Sequence, residues 1–150
     1  GRRVLGSGSV MFPIAFGRGA IADRALQPDD IAGISDLYPA SGFEDSTGGI
    51  QGTVRRGNVG VVGAHVVAFN IRTRALVGGF TLGQQGEFQI LGLAPGPYVL
   101  RVEPLDDADL DSFFDDDSID VNFQVTYYPR VVVAPSGGVG DSVTVTVRPK

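Results

Sequence analysis

Between Gly48 and Val102 apolar residues recur at every second position, and the breaks between these runs are made of Gly, Pro and Asn. That period belongs to strands with one buried face and that punctuation to tight reversals, so the stretch is confined to short antiparallel strands. A first strand runs over about Ile50 to Arg55 with Ile50 and Val54 inward, and Arg55-Arg56-Gly57-Asn58 turns it. A second, Val61 to Ile71, places Ala64, Val66 and Ala68 on one face and His65, Val67 and Phe69 on the other. Both of its faces are largely apolar. A two-layer sandwich leaves one face of each sheet outward, so Val67 and Phe69 require a cover.

Asn70 to Arg74 reads as a polar reversal, and Ala75 to Leu82 as a third strand with a bulge at Gly78-Gly79. Gly83-Gln84-Gln85-Gly86 turns into Glu87 to Leu91, with Phe88 and Ile90 inward. The tight Gly92 to Pro97 connection leads to a fifth strand in which Tyr98, Leu100 and Val102 alternate with Val99, Arg101 and Glu103. Val121 to Ala134 is one extended strand bent near Pro129, or two short ones, and Val143, Val145 and Val147 mark the last. Counting the former as one, the expected fold is an all-β, seven-stranded sandwich.

The first forty residues differ. Val10-Met11-Phe12-Pro13-Ile14 has neither helical nor strand period and reads as an ordered turn that needs a partner surface. Pro28 suits the first position of a helix, Asp29 and Asp30 place negative charge on its free N–H groups, and Pro39 stops it. Ile31, Ile34, Leu37 and Tyr38 fall on one stripe, the face expected to dock. The helix and the Met11-Phe12 knot are the expected cover for Val67 and Phe69. The organisation expected is residues 1–40 as a separate piece, 41–49 as linker and 50–150 as the sandwich domain.

Charge and composition exclude several classes. The 150 residues carry a net charge of -5, and residues 101–150 hold ten acids against four bases. No basic surface is suggested, so nucleic acid is not a partner. No apolar run is long enough for a transmembrane segment. Cys is absent, which excludes disulfides and thiolate metal sites, and His65 is the single imidazole, which excludes a Ser-His-Asp arrangement and makes metal ligation there improbable. His65 reads as a partly exposed strand residue.

The core resembles the carboxypeptidase regulatory-like domains, of transthyretin-like (prealbumin-like) fold. The matched segments are Gly48-Gly49-Ile50-Gln51-Gly52-Thr53-Val54, Gly63-Ala64-His65-Val66, Gly86-Glu87-Phe88 and Gly92-Leu93-Ala94-Pro95-Gly96-Pro97-Tyr98. The first forty residues resemble the C-terminal end of a matrixin-like metzincin zinc peptidase, in Ser9-Val10-Met11-Phe12-Pro13 and in Asp29-Asp30-Ile31-Ala32-Gly33-Ile34 with Leu37-Tyr38. That resemblance implies a methionine-turn relic at Met11 and Pro13 and structural roles for Asp30, Ile34, Leu37 and Tyr38. The family's zinc segment belongs before Met11, where only ten residues stand. Zinc is therefore expected only in an upstream part, the chain itself has no catalytic residues, and a secreted or cell-surface setting is implied.

The strongest polar feature is acidic, with eight Asp within the fifteen residues 106–120. Asp107, Asp109 and Asp111 imitate the spacing of a calcium loop, but Ser112 and Ser118 stand where Gly and Glu belong. With Asp115, Asp116 and Asp117 they are calcium candidates, set against a plain solvated loop anchored by Phe113 or Phe114. Phe123, Tyr127 and Tyr128 offer aromatic surface for a sugar, but alternation sends the two tyrosines to opposite faces, and packing in the core and between the sheets is the preferred reading. The expected function is a non-catalytic accessory domain contacting a peptidase domain of the same protein, its substrate or a surface. The alternatives are a carbohydrate- or surface-binding module with a protein or glycan partner, and a calcium-stabilised adhesion or spacer module.

Overall fold

The computed structural model describes residues 26–105 and 119–150. Two helices come first, α1 (Pro28–Leu37) and α2 (Phe43–Ser46). Nine strands follow among the described residues: β1 (Gly48–Arg56), β2 (Val59–Gly60), β3 (His65–Asn70), β4 (Leu76–Phe80), β5 (Glu87–Leu93), β6 (Gly96–Glu103), β7 (Thr126–Tyr127), β8 (Val132–Ala134) and β9 (Val143–Thr146). They form a β-sandwich of two sheets preceded by a short helical segment.

The first sheet is built on β1. β5 pairs with it antiparallel along one edge, β2 closes a hairpin on that same side, and β9 lies parallel to it along the other edge. The second sheet runs β4-β3-β6 antiparallel, and β7 and β8 share the far edge of β6. Inward residues of both sheets make one core: Ile50, Val54, Phe88, Ile90 and Val145 from the first meet Val66, Ala68, Tyr98, Leu100 and Val102 from the second. Each fully buried aliphatic side chain of this kind contributes about 1.5–3 kcal/mol relative to exposure.

The alternation of the sequence survives, and the strand count does not. The run from Val61 to Ile71 is not one strand, because the chain leaves the first sheet after Gly60 and enters the second at His65. Gly63, at φ 77°, makes the crossing with its backbone in the left-handed region. Thr81, fully buried, holds it: its Oγ1 accepts from the Ala64 N–H at 2.9 Å and donates to the Val61 carbonyl at 2.6 Å. The 121–134 run makes two short strands, the second of the readings the sequence left open. Seven expected strands thus become nine.

The glycines of β4 are not a bulge, since pairing with β3 runs in unbroken register from His65↔Phe80 to Phe69↔Leu76. They are needed for room: a Cβ on Gly78 would sit 2.7 Å from His65 Nε2, and one on Gly79 would sit 3.1 Å from Ile90 Cγ1. The irregularity falls instead in β1, between Gly48 and Ile50.

The helix forms where expected but docks on the other face. Its start is fixed by Asp30 Oδ2, which accepts the Gln27 backbone N–H at 2.9 Å in a capping box. It packs along β4 and β5 with Asp30 and Ala32 buried, and Ala32 lies against Gly92. The apolar stripe faces away: Ile34 is 50% exposed, Leu37 73% and Tyr38 77%. The cause is Asp29, whose Oδ1 accepts the Gly78 N–H of edge strand β4 at 2.8 Å and so turns the polar side inward. Val67, the register partner of Gly78, is buried as its need for cover demanded. The Met11-Phe12 knot lies outside the described residues, and α2 occupies part of the expected linker.

Candidate functional site

On the outward face of the second sheet, β3 and β6 bring His65 opposite Glu103. His65 Nδ1 lies 3.2 Å from Glu103 Oε1, and Arg101 Nη2 pairs with Glu103 Oε2 at 2.6 Å. The imidazole also stacks on Phe80 with ring centroids 4.9 Å apart. It is 9% exposed, so the expectation of a partly exposed strand residue is corrected: a carboxylate and an aromatic plane close over it. The ion pairs and the ring contact fasten the sheet's outer face at this point.

A second fixed point lies at the end of the acidic segment. Arg56 meets the Asp120 carboxylate through both terminal nitrogens, at 2.8 and 3.2 Å, and donates to the Asn122 carbonyl at 2.9 Å. The Asp120 N–H donates to Val62 O at 3.0 Å, and Ile119 packs at Gly63. The chain is thus tied down at the strand crossing on leaving the acidic run. The calcium candidates Asp107, Asp109, Asp111, Asp115, Asp116 and Asp117 lie outside the described residues, as do Met11 and Pro13. Among the described residues no three His, Cys, Asp or Glu side chains stand close enough to hold a metal, and no helix is long and apolar enough to cross a membrane.

The third feature is concave. A shallow cleft of about 540 Å³, broadly open to solvent, lies on the outward face of the first sheet. Its floor is Gln51 and Thr53 of β1 beside Gln89 and Glu87 of β5, which are register partners in those pairs. Phe80 and Leu82, continuing from β4 around the sandwich edge, form an apolar side, and Ser142 stands before β9. The Thr53 and Thr144 hydroxyls are 3.4 Å apart, and Gln51 Nε2 donates to Gly140 O at 3.1 Å. These residues were not singled out from the sequence, where they read as the solvated side of two strands. Their signal is an outward row of amides and hydroxyls rather than charges.

Of the two readings of the aromatic residues, the preferred one, packing, holds for Phe123 and Tyr128. Phe123 is fully buried and Tyr128 packs on the core beneath Arg130, whose guanidinium donates to its hydroxyl at 2.8 Å. Tyr127 alone is open, at 61% exposure.

The fold and its surfaces define a β-sandwich module. No protein-family model matches the sequence, and no curated protein matches it. Solved structures that match include BcpA, the major pilin subunit of Bacillus cereus, at 14% identity and TM-score 0.46 over 70% of this chain and 31% of that one. GBS52, the minor pilin of Streptococcus agalactiae, matches at 15% identity and TM-score 0.43, over 70% of this chain and 45% of that one. The Bacillus anthracis TIE protein matches at 11% and 0.43, over 69% and 17%. The chain therefore spans less than half of each.

The resemblance to a metzincin end followed by a carboxypeptidase regulatory-like domain is overturned. No family model, of a metzincin or of a carboxypeptidase regulatory-like domain, matches the chain. The physical reason lies in the matched positions. Gly52 is required because a Cβ there would lie 2.9 Å from the Phe88 ring, and Ile50 and Val54 because they face the core. Such residues are imposed by strand packing in any sandwich of this kind. In α1 the matched Ile34, Leu37 and Tyr38 pack on nothing in the sandwich core.

Proposed function

We propose that the chain is a non-catalytic accessory module of a secreted or cell-surface protein, with residues 50–150 forming a folded spacer. The observation that carries the reading is the parallel pairing of β1 with β9, Gly52↔Val143 to Arg55↔Thr146. Parallel neighbours begin at the same end and finish at the same end. The chain therefore enters this pair at one end of the sandwich and leaves at the other, and tension between the termini loads its hydrogen bonds together. Val147 N to Arg55 O, at 2.9 Å, extends the seam beyond the strand.

The test uses the absence of Cys, which makes any introduced pair of thiols a unique attachment. Glu44→Cys with Arg148→Cys pulls the seam in shear, whereas Asn58→Cys with Arg148→Cys pulls from one end and peels it. Single-molecule stretching is expected to require the larger force for the first pair. Equal forces, or a weaker terminal pair, remove the spacer reading. The setting is tested separately by fractionating cells that make the parent protein. Recovery in the cytosol alone contradicts it.

A further inference from the structure

We propose that the cleft on the outward face of the first sheet binds a neutral oligosaccharide. Beside the Glu87 carboxylate, the floor carries groups that both donate and accept, the Gln51 and Gln89 amides and the Thr53 hydroxyl, with the Ser142 hydroxyl at its margin. A sugar hydroxyl has the same dual character, and a row of them along a chain matches a row of such side chains. The apolar side is supplied by Phe80, 37% exposed, and Leu82, 77% exposed, against which the C–H face of a pyranose ring packs. A sugar ring presents both kinds of surface, and so does the lining of the cleft.

Charge narrows the class. Among the described residues neither Lys nor Arg lines the cleft, and Glu87 supplies the one ionisable side chain. An acidic glycan or a phosphate finds no counter-charge there and meets a repelling one. An extended peptide is the other occupant to weigh, since amides also donate and accept. Peptides of that kind bind by adding a strand to a free sheet edge; β1 has β5 on one side and β9 on the other, whereas β5 pairs only with β1 among the described residues. A peptide would therefore lie along the outer edge of β5 and shift its backbone amides, whereas a sugar on the floor meets the amide and hydroxyl side chains, and the peptide arm of the experiment separates the two. The inference rests on the accessory-module reading only in giving the spacer an adhesive face; its failure leaves the pulling experiment untouched.

The experiment is a titration of the isotope-labelled 150-residue chain, followed by amide and side-chain NMR shifts. The probes are maltohexaose, cellohexaose, xylohexaose and chitohexaose, with oligogalacturonate and a neutral Gly-Ser-Thr hexapeptide as the acidic and peptide arms. At least one neutral oligomer is expected to give saturable shifts centred on Gln51, Thr53 and Gln89. Gln89→Ala and Leu82→Ala, both at exposed positions, are expected to weaken it about tenfold, and Tyr127→Ala to leave it unchanged. Saturation by none of the four at about 10 mM, a weak affinity that still registers, overturns the proposal. So does stronger binding of the acidic oligomer or the peptide, or shifts centred on Tyr127.

Discussion

Thr81 does more than its size suggests. With Ala64 N–H and Val61 O both bound to one hydroxyl, Thr81→Val keeps the volume and removes both partners. Leaving buried backbone groups unpaired costs about 1–3 kcal/mol, so the unfolding free energy should fall by about that amount, read as a lower denaturant midpoint with the slope unchanged. Tyr98 makes a second case. It is 1% exposed, and burial pushes its phenol above the ordinary 10.0, with the Asn70 hydrogen bond opposing in part. An acid whose folded value is raised lends stability that is complete below the unfolded value, about 10, and is lost as pH climbs through the folded one. Alkaline unfolding should accordingly be less steep in Tyr98→Phe, followed by circular dichroism above pH 10. The sequence told that Tyr98 faces inward, since it alternates with Val99. It did not tell that His65 is covered, because the partners Phe80 and Glu103 are 15 and 38 positions away.

At the level of elements, boundaries were legible and faces were not. Pro28, the paired Asp residues and Pro39 set the ends of α1 locally, and the helix runs over Pro28–Leu37. Which side docks depends on an unpaired N–H of an edge strand, and periodicity holds no record of that. Asp29→Ala is expected to cost about 1–2 kcal/mol in chemical denaturation, because Gly78 N–H loses a charged acceptor. Leu37→Ser with Tyr38→Ser should leave stability within about 0.5 kcal/mol and raise solubility, measured by precipitation midpoint. A docking stripe, as the spacing alone implies, would instead make that double change strongly destabilising. The β4 glycines teach the same lesson: a Gly pair in a strand pattern signals a close approach as well as a bulge, and only the neighbour across the fold decides between them.

For the whole molecule, alternation was enough to give antiparallel pairs in two layers. What it could not give was the assignment of runs to sheets. The short crossing between Gly60 and His65 has the same apolar pattern as the strands beside it, because it is buried between them. The cleft was illegible for a related reason: Gln51, Thr53, Glu87 and Gln89 come from two strands, with Phe80 and Leu82 brought alongside by a third.

The β1–β9 seam joins Thr53 to Thr144 across 91 positions. Long-separated pairings pay their loop-closure entropy before any contact rewards it, so they form late. During translation the centre strand of the first sheet emerges before its partner and waits, its β9 edge open, until the 91 positions between Thr53 and Thr144 have followed it out of the ribosome. A stalled nascent chain ending before Val143 would therefore display that edge to whatever chaperone stands at the exit tunnel, and emergence of Val143–Thr146 would be the event that withdraws it.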